Sequence, residues 1–172
     1  MGFYSWFGFP TYFPRTNIQP GYQGTLGYGF PTGLGAQVAN PHKKVVAITG
    51  DGGFMFNVQE LSTAVLHKIP LVTILFNDNT FGNVKRNQKE RYGERYICSD
   101  LLNPDFMKLT ESFGMVGFRV DSPTNLRGVL EKAFSEKRVP SLIDVIVTRD
   151  PSEMLPAVDN RAKVIKAGDR VA

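Results

Sequence analysis

From Lys44 onward, short β-branched runs alternate with segments of helical period, and this alternation restricts the fold more than any other feature of the chain. Strands are predicted at Val45–Thr49, Leu71–Phe76, Val116–Val120 and Leu142–Val147. Between the first two, Phe54, Val58, Leu61 and Val65 recur at the spacing that places side chains on one helix face. His67 and Lys68 fall near the carboxyl end of that segment, where the helix dipole favours cations, and Pro70 closes it. Two more helices are predicted. Asn103 and Pro104 open one that carries Phe106, Leu109 and Phe113 and ends at Gly114; Ser122 and Pro123 open another that carries Leu126, Val129, Leu130 and Phe134. Strand, helix, strand units of this kind build a parallel sheet covered by its crossover helices. The predicted fold class is α/β, a three-layer parallel sheet with helices on both faces.

Size and composition agree with one such unit. A chain of 172 residues, 42% apolar and 21% charged, can bury a hydrophobic core of its own. Residues 1–150 are assigned to this domain. The tail after Pro151 has no strong periodicity until Val164, so residues 151–172 read as a carboxy-terminal arm or a terminal helix. Residues 1–40 are dense in glycine and aromatics, and after Pro31 the stretch Leu34 to Ala39 suits a short buried helix. The net charge of +4 is spread among many acids. Its main basic cluster, Lys85, Arg86, Lys89 and Arg91, is broken by Glu90 and Glu94, which reads as a solvated helix face rather than a nucleic-acid surface. Cys98 is the single cysteine, which excludes an intramolecular disulfide, a thiolate zinc site and a CxxC pair, and fits a cytoplasmic setting. Met1 to Pro14 lacks a basic leader and contains Pro10 and Pro14, so neither a signal peptide nor a membrane span is expected there.

The chemistry concentrates at two strand ends. Asp51 lies in Gly50-Asp51-Gly52-Gly53, directly after one strand and before a helix; Asp78 lies in Asn77-Asp78-Asn79-Thr80, directly after the next strand. In a right-handed crossover unit both positions reach the carboxyl edge of neighbouring parallel strands, where open α/β sheets bind ligands. Two hard oxygen donors there suit magnesium, which completes its octahedron with water and phosphate oxygens. Gly52 and Gly53 start the following helix, where unpaired N–H groups favour an anion and the missing Cβ allows close approach. Each aspartate alone would read as a turn or N-cap residue; it is their spacing and common edge that favour a metal site.

Gly50-Asp51-Gly52 followed, after a helix and a strand, by Asn77-Asp78 resembles the motif of thiamine-diphosphate enzymes that begins GDG and ends NN. Flanking segments resemble the acetolactate synthase and 2-oxoacid decarboxylase group: Gly21-Tyr22-Gln23-Gly24-Thr25-Leu26-Gly27-Tyr28-Gly29-Phe30-Pro31, Gln59-Glu60-Leu61-Ser62-Thr63-Ala64 and Pro104-Asp105-Phe106-Met107-Lys108-Leu109, so that the resemblance covers roughly residues 2 to 148. It implies the thiamine-diphosphate-binding fold, with thiamine diphosphate and Mg2+ as cofactors. It implies Asp51, Asp78 and the carbonyl of Thr80 as magnesium ligands, with Gly52, Gly53, Phe81 and Gly82 giving backbone contacts to the diphosphate. Asp78 stands where the family usually has Asn, adding a negative charge that should alter metal affinity more than geometry. The carbonyl of Gly24 would accept the cofactor's 4′-amino group, and Leu26 would wedge beneath the bend between its two rings.

The resemblance also implies what to expect around this chain. The family's activating glutamate lies on a pyrimidine-binding domain, which no segment here resembles, and the start at Gly2-Phe3-Tyr4-Ser5 resembles a loop whose preceding strand is absent. A fragment, or the pyrophosphate-binding subunit of a two-subunit enzyme, is therefore expected, inactive without a pyrimidine-binding partner and part of an oligomer. The expected reaction is lyase or carboligase chemistry on a 2-oxo acid. The alternative is a non-catalytic binding or assembly subunit with the same fold. A magnesium phosphatase or receiver-like domain would use similar acidic strand ends but leaves Gly24-Thr25-Leu26 without a role. His42 and His67 read as structural, Cys98 as a packed or surface thiol, and the aromatics Phe3, Tyr4, Trp6, Phe7, Phe9, Tyr12 and Phe13 as an interface or a substrate entrance.

Overall fold

The computed structural model describes residues 9–21 and 24–153. In chain order these form α1 (Gly29–Ala39), β1 (Val46–Gly50), α2 (Asp51–Met55), α3 (Glu60–Leu66), β2 (Val72–Asn77), α4 (Gly82–Tyr92), α5 (Phe106–Ser112), β3 (Val116–Val120), α6 (Pro123–Ser135) and β4 (Ser141–Ile146). The four strands make one sheet in the order β1-β2-β4-β3, and every pairing is parallel. Neighbouring β1 and β2 run in register from Val46↔Val72 to Gly50↔Phe76, so the chain leaves both strands at the same edge.

Side chains alternate across the strands and divide the core between two faces. On one face Ala47, Leu71, Leu75 and Leu142 pack with Phe30 and Leu34 of α1, Phe54 of α2, Leu61 and Ala64 of α3 and Phe106 of α5. On the other, Val72, Val120 and Ile143 pack with Ala133 and its partly buried neighbours Leu126, Val129 and Leu130 of α6. The result is the predicted three-layer arrangement, helices lying on both faces of a parallel sheet. α1 lies so close to β1 that a Cβ on Gly33 would come within 2.8 Å of the Ala47 Cβ, which makes glycine the residue that fits there.

Several boundaries differ from expectation for physical reasons. β1, β2 and β4 are displaced by one residue from the predicted runs, because their ends are set by the ladder and not by where β-branched residues stop. The single helix predicted through Phe54, Val58, Leu61 and Val65 is two helices, α2 and α3, joined by a tight turn. Within it Asn57 N–H donates to Phe54 O, Glu60 N–H to Asn57 O and Leu61 N–H to Val58 O, an i→i−3 pattern that keeps the apolar side chains on the same side. α1 is longer than the predicted Leu34–Ala39 and holds Pro31 in its first turn, where the missing N–H has no intrahelical partner to lose. The basic cluster does form a helix, α4, but Arg86 is buried rather than solvated.

Among the described residues no helix is long and apolar enough to cross a membrane. Phe9, Tyr12 and Phe13 are exposed, whereas Phe3, Tyr4, Trp6 and Phe7 lie outside the described residues, as does most of the predicted arm, residues 154–172. Cys98 is exposed.

Candidate functional site

Asp51 opens α2 at the end of β1, and Asp78 follows directly after β2, so the adjacency of the two strands brings both to one sheet edge. Asp51 is 2% exposed, and both oxygens of its carboxylate accept hydrogen bonds from the surrounding backbone and side chains, Oδ1 keeping a free lone pair. Oδ1 accepts from Gly52 N–H at 2.8 Å, and Oδ2 accepts from Asn79 N–H at 2.8 Å and from Asn103 Nδ2 at 2.6 Å. Burial and then the like charge of Asp78 raise its pKa above the ordinary carboxylate value, while the three donated hydrogen bonds pull it down without cancelling the rise. Among the described residues the forces on Asp51 therefore include a second carboxylate and no side-chain cation.

The loop after β2 is built to turn back on this position. Asn79 adopts a left-handed backbone, φ 55°, which asparagine tolerates better than most residues and which aims its N–H at Asp51. Asp78 Oδ1 accepts from both Thr80 N–H, 2.8 Å, and Thr80 Oγ1, 2.9 Å. An antiparallel bridge pins the loop from outside: Phe81 N–H donates to Ser99 O and Leu101 N–H to Asn79 O, each at 2.8 Å. That pairing uses groups of Asn79 and Phe81 and leaves the buried Thr80 with its carbonyl outside the bridge. α4 starts at Gly82 immediately afterwards.

The glycines of the predicted phosphate contact have distinct surroundings. A Cβ on Gly52 would stand 2.6 Å from Phe81 Cε1 and 2.8 Å from its Cδ1, so this glycine makes room for an aromatic ring. The N–H groups of Gly52 and Phe81 are both taken, by Asp51 Oδ1 and Ser99 O. Gly53 and Gly82, in the first turns of α2 and α4, occupy positions whose N–H groups a helix leaves without intrahelical acceptors. Leu26 reaches the same place: its Cδ2 would lie 3.6 Å from a Cβ on Gly53, and it is half exposed. The adjoining Gly27 carbonyl is held by Asn57 Nδ2 at 2.8 Å, which docks the loop onto the turn between α2 and α3. Gly24 adopts φ 55° on the surface, with nothing near its missing side chain. Beside these residues a cavity of about 370 Å³ is lined by Gly52, Met55, Phe56, Phe81, Leu101, Leu102 and Asn103.

Sequence reasoning missed a second layer of polar residues. Asn103 does not open a helix: α5 begins at Phe106, with Asp105 as its N-cap accepting from Met107 N–H at 3.0 Å. Asn103 instead directs its Nδ2 at Asp51 Oδ2, Asn79 Oδ1 (3.2 Å) and Asn77 Oδ1 (3.3 Å). Asn77 in turn donates to the wholly buried Asp144 of β4 at 3.0 Å, and Asp144 accepts from Arg119 Nε of β3 at 3.1 Å. The sequence did hold a signal for Asp144, an acidic residue inside the apolar run Leu142-Ile143-Asp144-Val145 of a parallel strand. Among the described residues no group of three or more His, Cys, Asp or Glu converges, so a metal here would rest on two carboxylates with other oxygens.

Comparison with known proteins bears on the same residues. A family model described as "Thiamine pyrophosphate enzyme, C-terminal TPP binding domain" matches residues 2–145. The probable acetolactate synthase large subunit of Methanococcus aeolicus is 42% identical over 164 residues, 95% of this chain and 27% of its own length. The acetolactate synthase large subunit of Haemophilus influenzae is 43% identical over 141 residues, 81% of this chain and 24% of its own length. Among solved structures, the thiamine diphosphate-dependent 4-hydroxybenzoylformate decarboxylase of Rhodococcus jostii RHA1 superposes with a TM-score of 0.69 at 30% identity, covering 74% of this chain and 24% of that one. This chain thus spans about a quarter of the length of these relatives.

Proposed function

The chain belongs to the thiamine pyrophosphate enzyme family, as an acetolactate-synthase-like C-terminal TPP-binding domain, and from that premise we propose that it anchors thiamine diphosphate through Mg2+ held by Asp51, Asp78 and the Thr80 carbonyl. The observation that carries this reading is the meeting of two carboxylates at one sheet edge, close enough for Asp78 to raise the pKa of Asp51, with no side-chain cation among the described residues acting on Asp51. A hard divalent cation relieves that repulsion, and carboxylate and carbonyl oxygens are its preferred donors. Asp78 Oδ1 is occupied by Thr80, and its second oxygen makes no hydrogen bond to the described residues, which leaves it for the ion.

The remaining predicted residues take roles that follow from their surroundings. Gly53 and Gly82 offer first-turn N–H groups to a diphosphate, while Gly52 and Phe81 shape the wall beside it. Leu26, packed near Gly53 with half its surface open, would support a bent ligand from below, and the carbonyl of Gly24 would accept a ring amino group. When bound, thiamine diphosphate supplies a nucleophilic thiazolium carbon and an electron sink for bonds next to the carbonyl of a 2-oxo acid. This chain's part is to hold and orient.

The activity completing this reading is that of a 2-oxoacid lyase or carboligase. It requires a pyrimidine-binding domain or subunit carrying the activating glutamate, in an assembly of more than one chain in the cytoplasm. The exposed Phe9, Tyr12, Phe13 and Leu102 support such a contact. In this reading residues 1–150 are assigned to the cofactor domain, and most of the remaining segment, residues 154–172, lies outside the described residues. Calorimetry with thiamine diphosphate and MgCl2, with and without a pyrimidine-binding partner, tests the assignment: the parent chain should release heat that Asp51→Ala does not, and equal heats refute it.

A further inference from the structure

We propose that Asp144 is a positioning residue for the Asp51 carboxylate, acting through the side-chain amides of Asn77 and Asn103. The inference rests on the reading of Asp51 as a magnesium ligand.

Asp144 is 0% exposed in the middle of β4, opposite Leu75 of β2 and two residues from Leu142, on the face filled by the larger core. A leucine would match those neighbours and avoid burying a charge, so folding alone gives no reason for the carboxylate. What it provides is polarity with a direction. An ionised carboxylate only accepts. Its Oδ2 is held by Arg119 Nε at 3.1 Å, and its Oδ1 takes Asn77 Nδ2 at 3.0 Å, which turns the Asn77 oxygen outward to Asn103 Nδ2. Asn103 presents its NH2 group to that oxygen and to Asn79 Oδ1 at 3.2 Å, and the same group makes the 2.6 Å bond to Asp51 Oδ2. Arg119 is itself fixed from the other side, its Nη2 donating to Asp105 at 2.9 Å. The orientation of Asn77 is thus set from behind by Asp144, and that of Asn103 by Asn77 together with Asn79 Oδ1 and the Asp51 carboxylate itself.

Removing one acceptor should propagate along the series. In Asp144→Asn the guanidinium of Arg119 takes the one remaining oxygen and Asn77 faces an NH2 group. Its amide turns over, Asn103 meets a donor where it had an acceptor, and the repulsion shifts the Asn103 amide, so the 2.6 Å bond to Asp51 is weakened although Asn79 Oδ1 still accepts from it. The double swap Asp144→Asn/Asn77→Asp restores the alternation, since the new carboxylate at position 77 accepts from both sides.

The test measures Mg2+ affinity by calorimetry at saturating thiamine diphosphate, and thermal melting, in the full chain. Asp144→Asn should melt cooperatively and bind Mg2+ about tenfold to a hundredfold more weakly, the range for partners behind a metal ligand, and the swap should recover the parent affinity. A merely structural Asp144 would change melting and leave Mg2+ affinity alone. A folded Asp144→Asn with parent affinity overturns the inference. If the single variant does not fold, the swap decides: folded with parent affinity supports it, and folded with weak affinity overturns it. A parent chain that binds no Mg2+ overturns the site assignment and this inference together, whereas a binding parent with an unaffected Asp144→Asn overturns only the inference.

Discussion

Replacing Phe54 with alanine tests whether one aromatic junction holds the three sequence-distant parts of the site together. The Phe54 ring is 1% exposed and meets Phe30 edge-on, centroids 5.3 Å apart at 69°, and Phe106 at 6.0 Å and 71°. Phe54 shares the short α2 with Asp51, Phe30 lies in α1 just after the Leu26 loop, and Phe106 opens α5 just after Asn103. Truncating a buried phenylalanine to alanine costs about 3–5 kcal/mol. Of this, two edge-to-face pairs contribute about 1–3 kcal/mol beyond area burial, so Phe54→Leu, which keeps most of the apolar volume, should cost clearly less than Phe54→Ala. Urea titration followed by circular dichroism reads both. With an m-value of about 2 kcal/mol/M, Phe54→Ala should lower the midpoint by about 1.5–2.5 M. Heats of Mg2+ and thiamine diphosphate binding should fall as well, because the loops that Phe30 and Phe106 anchor lose their common support. A loss under about 1 kcal/mol would refute the packing argument. Full destabilisation with unchanged binding would show that the core and the site are not coupled through this ring.

Two further outcomes follow from named contacts. Gly52→Ala drives a methyl group to 2.6 Å from the Phe81 ring, so it should cost about 1–3 kcal/mol as an overpacked site; Gly52→Ala/Phe81→Leu should recover most of this, and a neutral single variant would contradict the contact. Asp105 has its pKa held below the ordinary value, first by the Met107 N–H bond and further by Arg119, against a desolvation that opposes it. Its stabilisation is therefore present above the unfolded carboxylate pKa and lost as pH falls through the lowered folded value. Asp105→Ala should melt below the parent at neutral pH, with the gap closing in acid; a gap independent of pH would show that the carboxylate's charge plays no part.

The parts of this fold that were legible in sequence are those set by local pattern. β3 falls where its β-branched run predicts, and Asp51 and Asp78 reach one edge because a strand, helix, strand unit leaves them nowhere else. What was not legible depends on contacts between distant residues. The break between α2 and α3 leaves the apolar spacing intact, and its long-range contact is the Asn57 bond to the Gly27 carbonyl, thirty residues away. Asn103 precedes Pro104 and reads locally as the opening of a helix, yet its partners Asp51, Asn77 and Asn79 all lie in earlier loops and strand ends. The burial of Arg86 has no counterpart in the charge pattern of α4, which is basic on both sides of it.

The strand order explains why the polar residues form one series rather than scattered pairs. Asp51 follows β1, Asn77 ends β2, Asp144 lies in β4 and Arg119 in β3, so the order of the hydrogen bonds across the sheet is the spatial order of its strands, β1-β2-β4-β3. Asp51 opens α2 just beyond β1, and Asn103, from the loop before α5, spans the step from β2 to it. The single cation of the series, Arg119, stands at the end farthest from Asp51 and already has two carboxylate partners, Asp105 and Asp144. Two neutral amides separate it from Asp51, so it fixes orientation while doing little to neutralise the acidic pair. Asp51 is held directly by Gly52, Asn79 and Asn103, with the sheet residues Asn77, Asp144 and Arg119 behind Asn103, and the compensating charge is left for a ligand at the sheet edge to bring.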